Sequence, residues 1–186
     1  MSNFTRRSFT LSVLAGTGMT AACGNGIGSN ASHTIDARVD ATLDHLYSRY
    51  PNARDLADKS NGQLVMPLIT EAGFGIGGGY GRGALRVNDV TVDYYSATKG
   101  SFGFQIGAQQ FAHVLFFMTR EALQRFRHSD GWAGGADVEY AFNDVGGNLR
   151  AETTTATSPV VGVIFGQAGL MAGATIEGVK YTRIIP

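Results

Sequence analysis

The chain has 186 residues, of which 26 are glycine and only 16% are charged; ordinary proteins carry about 7% glycine and about 25% charge. Its length suits one domain, and 44% hydrophobic residues without a Gly-X-Y period exclude both disorder and a collagen-like rod. Fifteen bases against fifteen acids give no clustered basic excess for nucleic acid, and a single cysteine excludes an internal disulfide framework or a cysteine-based zinc cage.

Residues 1–22 read as a twin-arginine signal peptide. Thr5-Arg6-Arg7-Ser8-Phe9 supplies the arginine pair, and Phe9 to Ala22 is uncharged but too short and too glycine-rich to span a bilayer permanently. The stretch ends Thr20-Ala21-Ala22-Cys23, the pattern of a bacterial lipoprotein processing site, with Thr20 where such sites prefer Leu. The alternative is ordinary cleavage after an Ala-x-Ala-like stretch. Acylated Cys23 would carry two acyl chains, enough for stable anchoring. Loss of Arg6 and Arg7 with the signal leaves thirteen bases against fifteen acids. Residues 23–33 form a Gly/Ser/Asn tether after the lipidated cysteine. Gly24 is not the Asp that directs inner-membrane retention in enteric-type sorting, which leans toward the outer membrane.

A single domain is expected over 34–186. Thr34 is expected to cap a helix with Ile35, Val39, Leu43, Leu46, Tyr47 and Tyr50 on one stripe, ended by Pro51. Its other face carries Asp36, Arg38, Asp40, Asp44, His45 and Arg49, so it leans acidic and fits a helix packed on a sheet rather than one lying on anionic lipid. Asn52 to Lys59 is a second, short helix.

From Gln63 the helical period gives way to Val, Ile, Phe and Tyr. Leu64 to Ile69 reads as a strand, with Pro67 marking a sheet edge or bulge. Every odd position from Gly73 to Gly83 is glycine, so an extended segment has one face stripped of side chains and presents Phe74, Ile76, Gly78, Tyr80 and Arg82 on the other. A helix, a ligand or a strongly bent sheet must press on the bare face. Phe102, Phe104 and Ile106 alternate with Ser101, Gly103 and Gly107 in the same manner, and Gly162, Gly166 and Gly173 open faces of later strands. Leu85 to Val87 and Val90 to Tyr95 flank Asn88-Asp89, a two-residue hairpin turn tolerant of positive φ. Phe111 to Met118 is a strand, Thr119 caps a helix over Arg120 to His128, and Ala136 to Phe142 and Pro159 to Ile184 supply further strands around a polar loop, Asn143 to Ser158. The expected fold class is α+β: a strongly bent, barrel-like, mainly antiparallel sheet of about eight strands with about three helices.

No catalytic constellation emerges, and no enzyme, cofactor or metal is expected. Gly73-Phe-Gly-Ile-Gly-Gly78 formally matches G-x-G-x-x-G, but no helix follows to meet a pyrophosphate. His33, His45, His113 and His128 show no i,i+4 pairing, no H-E-x-x-H or G-x-S-x-G occurs, and His113 in its apolar strand reads as a core residue. Charge is uneven: residues 82–127 hold six bases against three acids, and 128–186 hold three against six. A basic middle beside aromatic strands suits lipid phosphates, although ordinary surface ion pairs would look the same.

The glycine-alternating run 73–85, then Tyr94-Tyr95, Ser101-Phe-Gly-Phe-Gln-Ile-Gly-Ala-Gln109, Phe117-Met-Thr-Arg-Glu-Ala-Leu123 with Phe126-Arg127, Gly131-Trp132 and Gly169-Leu-Met-Ala-Gly173 resembles the SYLF-domain family in content and order across residues 40–184. The resemblance implies a lipid-binding module: eukaryotic members bind phosphoinositides and some regulate actin, bacterial members include exported lipoproteins, and no catalytic residues are implied. Eukaryotic relatives use a basic N-terminal amphipathic helix in part, and the acidic-leaning helix here departs from that. Bacterial phospholipid or another amphiphile is therefore the expected ligand. The expected function is a non-enzymatic envelope lipoprotein on the periplasmic face of a bacterial membrane. Arg82, Arg86 and Lys99 are candidate head-group contacts, and Phe74, Ile76, Tyr80, Phe102 and Phe104 candidate lining residues. The alternative is a structural or protein-interaction module of the envelope with an unknown protein partner.

Overall fold

The computed structural model describes residues 30–135, 138–140, 158–166, 169–170 and 176–186, with backbone alone at 73–76, 101–108, 139–140 and 169–170. The segments expected as signal peptide (1–22) and as lipidated cysteine and tether (23–33), and the loop expected at Asn143 to Ser158, lie almost wholly outside the described residues. Three helices, α1 (Ala31–Arg49), α2 (Asn52–Lys59) and α3 (Arg120–His128), accompany seven strands: β1 (Gly62–Val87), β2 (Val90–Phe117), β3 (Trp132–Ala133), β4 (Val138–Tyr140), β5 (Val160–Gly166), β6 (Gly169–Leu170) and β7 (Val179–Ile184). The strongly curled, mostly antiparallel sheet is a half-barrel, as the α+β reading expects; β4 with β5 is the parallel exception.

The sheet is built on one ribbon. β1 and β2 pair antiparallel from Val87–Val90 out to Gly62–Phe117. Segments that read as separate strands therefore merge, which lowers the described count from the expected eight or so to seven. Asn88 and Asp89 turn the chain at φ 50° and 62°, the left-handed pair that a tight hairpin needs. Pro67 lies within a register shift between Met66 and Ile69, where the missing N–H interrupts no ladder bond. A second shift between Gly73 and Gly75 coincides with the bend of the ribbon.

The bend divides the ribbon. The distal part of β2, Ala112 to Phe117, pairs with β5, and the proximal part, Tyr94 to Lys99, pairs with β7, which carries β3. Two half-sheets result. One core lies between them, with Leu64, Met66, Leu85, Tyr95, Leu115, Phe117, Ile164, Val179 and Tyr181. The other lies under the helices, where Ile35, Val39, Leu43, Leu46 and Leu56 meet Val65, Val114, Phe116, Val161 and Val163. Residues 111–117 are thus buried on both faces, which explains an apolar run that only His113 interrupts.

α1 starts earlier than expected. Thr34 is not its cap: the helix begins at Ala31 and the Thr34 hydroxyl donates back to the Asn30 carbonyl at 3.0 Å, from inside the first turns. Its end at Tyr50, before Pro51, follows the sequence signal, since proline disfavours helical geometry in the residue before it. α3 is capped as expected, the Ala122 amide donating to the Thr119 hydroxyl at 3.1 Å. Phe126 of α3 lies at the centre of an aromatic cluster, with ring centroids 4.7 Å from Tyr95, 4.9 Å from Phe117 and 5.6 Å from Trp132. Among the described residues no helix is long and apolar enough to cross a membrane.

Candidate functional site

The pleat of the ribbon decides where each candidate residue points, because successive side chains alternate between faces. In the proximal half-sheet, odd positions point inward, as buried Leu85, Tyr95, Ala97, Val179 and Tyr181 show, and even positions point outward.

The bare glycine face therefore points inward, and β1 itself occupies it. A Cβ on Gly83 would overlap the Val65 carbonyl oxygen and come within 2.6 Å of Met66 Sδ; one on Gly81 would come within 2.5 Å of the Leu68 carbonyl oxygen; one on Gly79 would lie 2.9 Å from Glu71 Cγ. The first half of β1 thus lies directly on the backbone of the second. At these three positions the missing side chains make room for main chain, and neither a helix nor an open groove stands there.

The three candidate head-group cations are not one patch. Arg86 is largely buried, its guanidinium 2.6 Å from Asp40 and 3.9 Å from Asp36 of α1, and it donates to the Asp89 carbonyl at 2.9 Å. Lys99 stands opposite Gly79 on the inward face, 3.4 Å from Glu71, whose other carboxylate oxygen accepts from Gln109 at 2.8 Å. Both charges are tied into the fold. Arg82 does point outward, between the inward Gly81 and Gly83, and Tyr80 beside it is 54% exposed. The backbones of Phe74, Ile76, Phe102 and Phe104 lie at the bend, and their side chains are outside the described set, as are Arg6, Arg7 and Cys23.

The acidic face of α1 also acquires a structural role. Asp36 accepts from the Thr91 hydroxyl and the Tyr94 phenol, each at 2.8 Å, and with Asp40 it fastens the helix to the hairpin. Burial, followed by the Asp36 bond, pushes the Tyr94 phenol up to about 12. Those carboxylates are thus internal latches.

His113 is fully buried between the half-sheets, its Nε2 2.7 Å from the Tyr181 hydroxyl. Burial, reinforced by the positive charge of Lys99, lowers its pKa to about 3, so it is neutral at ordinary pH. Nδ1 has no hydrogen-bond partner among the described residues, and the ring contacts are Phe111 and Tyr181. It is a core histidine with no approach to solvent. Among the described residues no three side chains converge to hold a metal.

Sequence reasoning missed Lys180. Cross-strand register places Tyr80, Thr98, Lys180 and Ala133 in one row on the outward face, and Arg82, Ser96 and Thr182 in the next. The parity of β7 relative to β2 cannot be read locally.

Residues 98–183 match the family model Ysc84, described as a Las17-binding protein actin regulator. No curated protein matches the chain. The matched region holds Ser101 to Gln109, Phe117 to Leu123, Gly131-Trp132 and Gly169 to Gly173, blocks in which the sequence resembles SYLF domains, so over residues 98–183 the chain is similar to the Ysc84 (SYLF) family model.

Proposed function

We propose that the protein is a non-enzymatic envelope lipoprotein, anchored through Cys23, whose SYLF domain engages phospholipid at a membrane surface. The family match supports a lipid-binding or actin-regulatory module in general terms. The observation that carries the choice of a surface over an internal ligand is the closed glycine face: at Gly79, Gly81 and Gly83 the space a ligand would need holds β1 itself. With the Arg86 and Lys99 charges engaged inside the fold, contact with an amphiphile falls to outward residues.

The test is cosedimentation of the purified chain with vesicles of phosphatidylglycerol and phosphatidylethanolamine, with lipid extraction and mass spectrometry in parallel. Salt-sensitive binding to the vesicles is expected. Absence of both vesicle binding and co-purified lipid overturns the reading. Metabolic labelling with palmitate, lost in Cys23→Ala, checks the anchor. A second reading, a protein-interaction module of the envelope, draws on the family's description as a binding protein. A defined envelope partner retained at high salt, without vesicle binding, would favour it.

A further inference from the structure

The hairpin that joins β1 to β2 carries exposed apolar side chains just past its polar turn. Among the described residues the exposed large hydrophobics are Leu68, Tyr80, Val90, Val92 and Ile185, and three of these five meet at the hairpin end of the ribbon. Val90 and Val92 are 62% and 38% exposed, and the β2–β7 register, which sets Tyr94 opposite Ile184, brings the exposed Ile185 alongside them. Thr91 turns to α1, where it bonds Asp36, so the valines on either side of it face away from that helix. A lone surface valine is ordinary; a cluster of apolar side chains at the tip of a hairpin marks a contact.

The charge beside this cluster suits an anionic partner. Arg127 of α3 and Arg183 of β7 both reach Asp93, at 3.0 and 3.5 Å, and both guanidinium side chains are more exposed than the carboxylate they share. Two guanidinium groups on one carboxylate keep donors to spare for phosphoryl oxygens. The other acids of the hairpin end belong to the α1 side. Asp36 and Asp40 are bonded to Thr91, Tyr94 and Arg86, and the charge of Asp89 acts on the Tyr47 phenol of α1. Apolar side chains flanked by cations match the boundary between acyl chains and phosphates at a bilayer surface.

The tether leaves the domain at the same end. Asp36, bonded to Thr91 and Tyr94, stands about 9 Å along α1 from Asn30. The segment from Cys23 to Asn30 adds at most about 25 Å when fully extended. The bend of the ribbon, by contrast, lies at Gly75, about 40 Å along the strand from the Asn88 turn. An acylated Cys23 therefore keeps the hairpin end of the domain close to the bilayer.

We propose that the hairpin tip, Val90 and Val92 with Ile185 beside them, is a wedge that inserts among the head groups of an anionic phospholipid bilayer, with Arg127 and Arg183 at the phosphates. The proposal rests on the lipid-binding reading above and adds the inserting residues and hence the orientation of the domain.

The experiment uses the chain as export leaves it, residues 23–186 with Cys23→Ser, so that neither the signal segment nor an acyl chain contributes. It is mixed with vesicles of phosphatidylglycerol and phosphatidylethanolamine at 0.1 M salt. The exposed parts of Val90 and Val92 together amount to about one valine side chain, so Val90→Ser with Val92→Ser lowers the partition coefficient about tenfold. Leu68→Ser, as exposed as Val92 but on the first half of β1, leaves it within about twofold. Unfolding midpoints measured alongside show whether the variants stay folded. An unchanged coefficient in the valine pair, with the parent bound, overturns the wedge while sparing the lipid-binding reading. Absence of binding by the parent chain removes both. Serine has replaced the only cysteine, so Val90→Cys carries a single environment-sensitive fluorophore. A blue shift on adding vesicles is expected, and lack of one counts against insertion even where the valine pair fails to fold. Sedimentation in which the valine pair dissociates a dimer of the parent, with vesicle binding kept, makes the tip an interface between copies and overturns the wedge.

Discussion

Replacing Gly83 by alanine tests the central architectural claim, that β1 lies on its own backbone. The added Cβ overlaps the Val65 carbonyl oxygen, lies 2.9 Å from the Val65 carbonyl carbon and 2.6 Å from Met66 Sδ. Methionine can swing away, but the Val65 main chain is fixed by its pairing with Val114. Overpacking a core usually costs 1–3 kcal/mol, and a backbone obstacle places this case at about 3 kcal/mol. Gly100→Ala is the control: nothing stands within 4 Å, and alanine in a strand gains about 0.5 kcal/mol over glycine. Gly81→Ala falls near Gly83→Ala, because the Leu68 carbonyl oxygen is 2.5 Å away; Gly79→Ala is milder, since only Glu71 Cγ, on a flexible side chain, is close at 2.9 Å. Urea unfolding can be followed through Trp132, whose ring centroid lies 5.7 Å from that of Tyr181. With a slope of about 2 kcal/mol per molar urea, the Gly83→Ala midpoint drops by about 1.5 M. Equal midpoints for Gly83→Ala and Gly100→Ala would refute the packing described for β1.

Two further outcomes follow from buried polar groups. His113 stays neutral in the fold down to about pH 3, whereas in the unfolded chain it protonates near its ordinary 6.5. Its contribution is therefore whole above pH 6.5 and declines below it by up to about 1.4 kcal/mol per pH unit, so His113→Phe flattens the acid limb of a stability profile between pH 6 and 4. Identical slopes would contradict the burial. Asp36→Ala strips acceptors from Thr91 and Tyr94 and lowers stability by about 2 kcal/mol in a chemical melt, while Asp44→Ala, on the exposed side of the same helix, stays within about 0.5 kcal/mol.

What the sequence disclosed was mostly local. The Asn88-Asp89 turn, the Thr119 cap and the stop at Pro51 act within a few residues, and each stands where its chemistry placed it. The stripped glycine face was also legible, because pleat alternation needs only sequence spacing. Its occupant was not, since contact between residues 65–71 and 79–83 depends on a bend that no residue type announces. The grouping of Arg82 with Lys99 failed through a single irregularity. Between Leu85 and Arg86 the register slips by one residue; without that bulge Lys99 would stand opposite Gly78 and face outward with Tyr80, but with it Lys99 stands opposite Gly79 and faces Glu71. Arg86 reads as a surface cation in a hairpin, and only the docking of α1 reveals its carboxylate partners. Lys180 reaches its row through pairing with Thr98, more than eighty residues away in the chain.

The length of the ribbon also bears on how the chain folds. From Val87–Val90 the partners grow steadily farther apart in sequence until Gly62 meets Phe117. Zippering outward from the turn lets each new pair extend a loop that is already closed, so the added entropic cost per step stays small even at the far end. Docking of β7 on the proximal part and β5 on the distal part requires much larger closures, and topology of that kind slows folding. The ribbon can thus assemble as an early, largely local unit, while the inter-sheet core around His113 and Tyr181 waits for the carboxy-terminal strand to arrive.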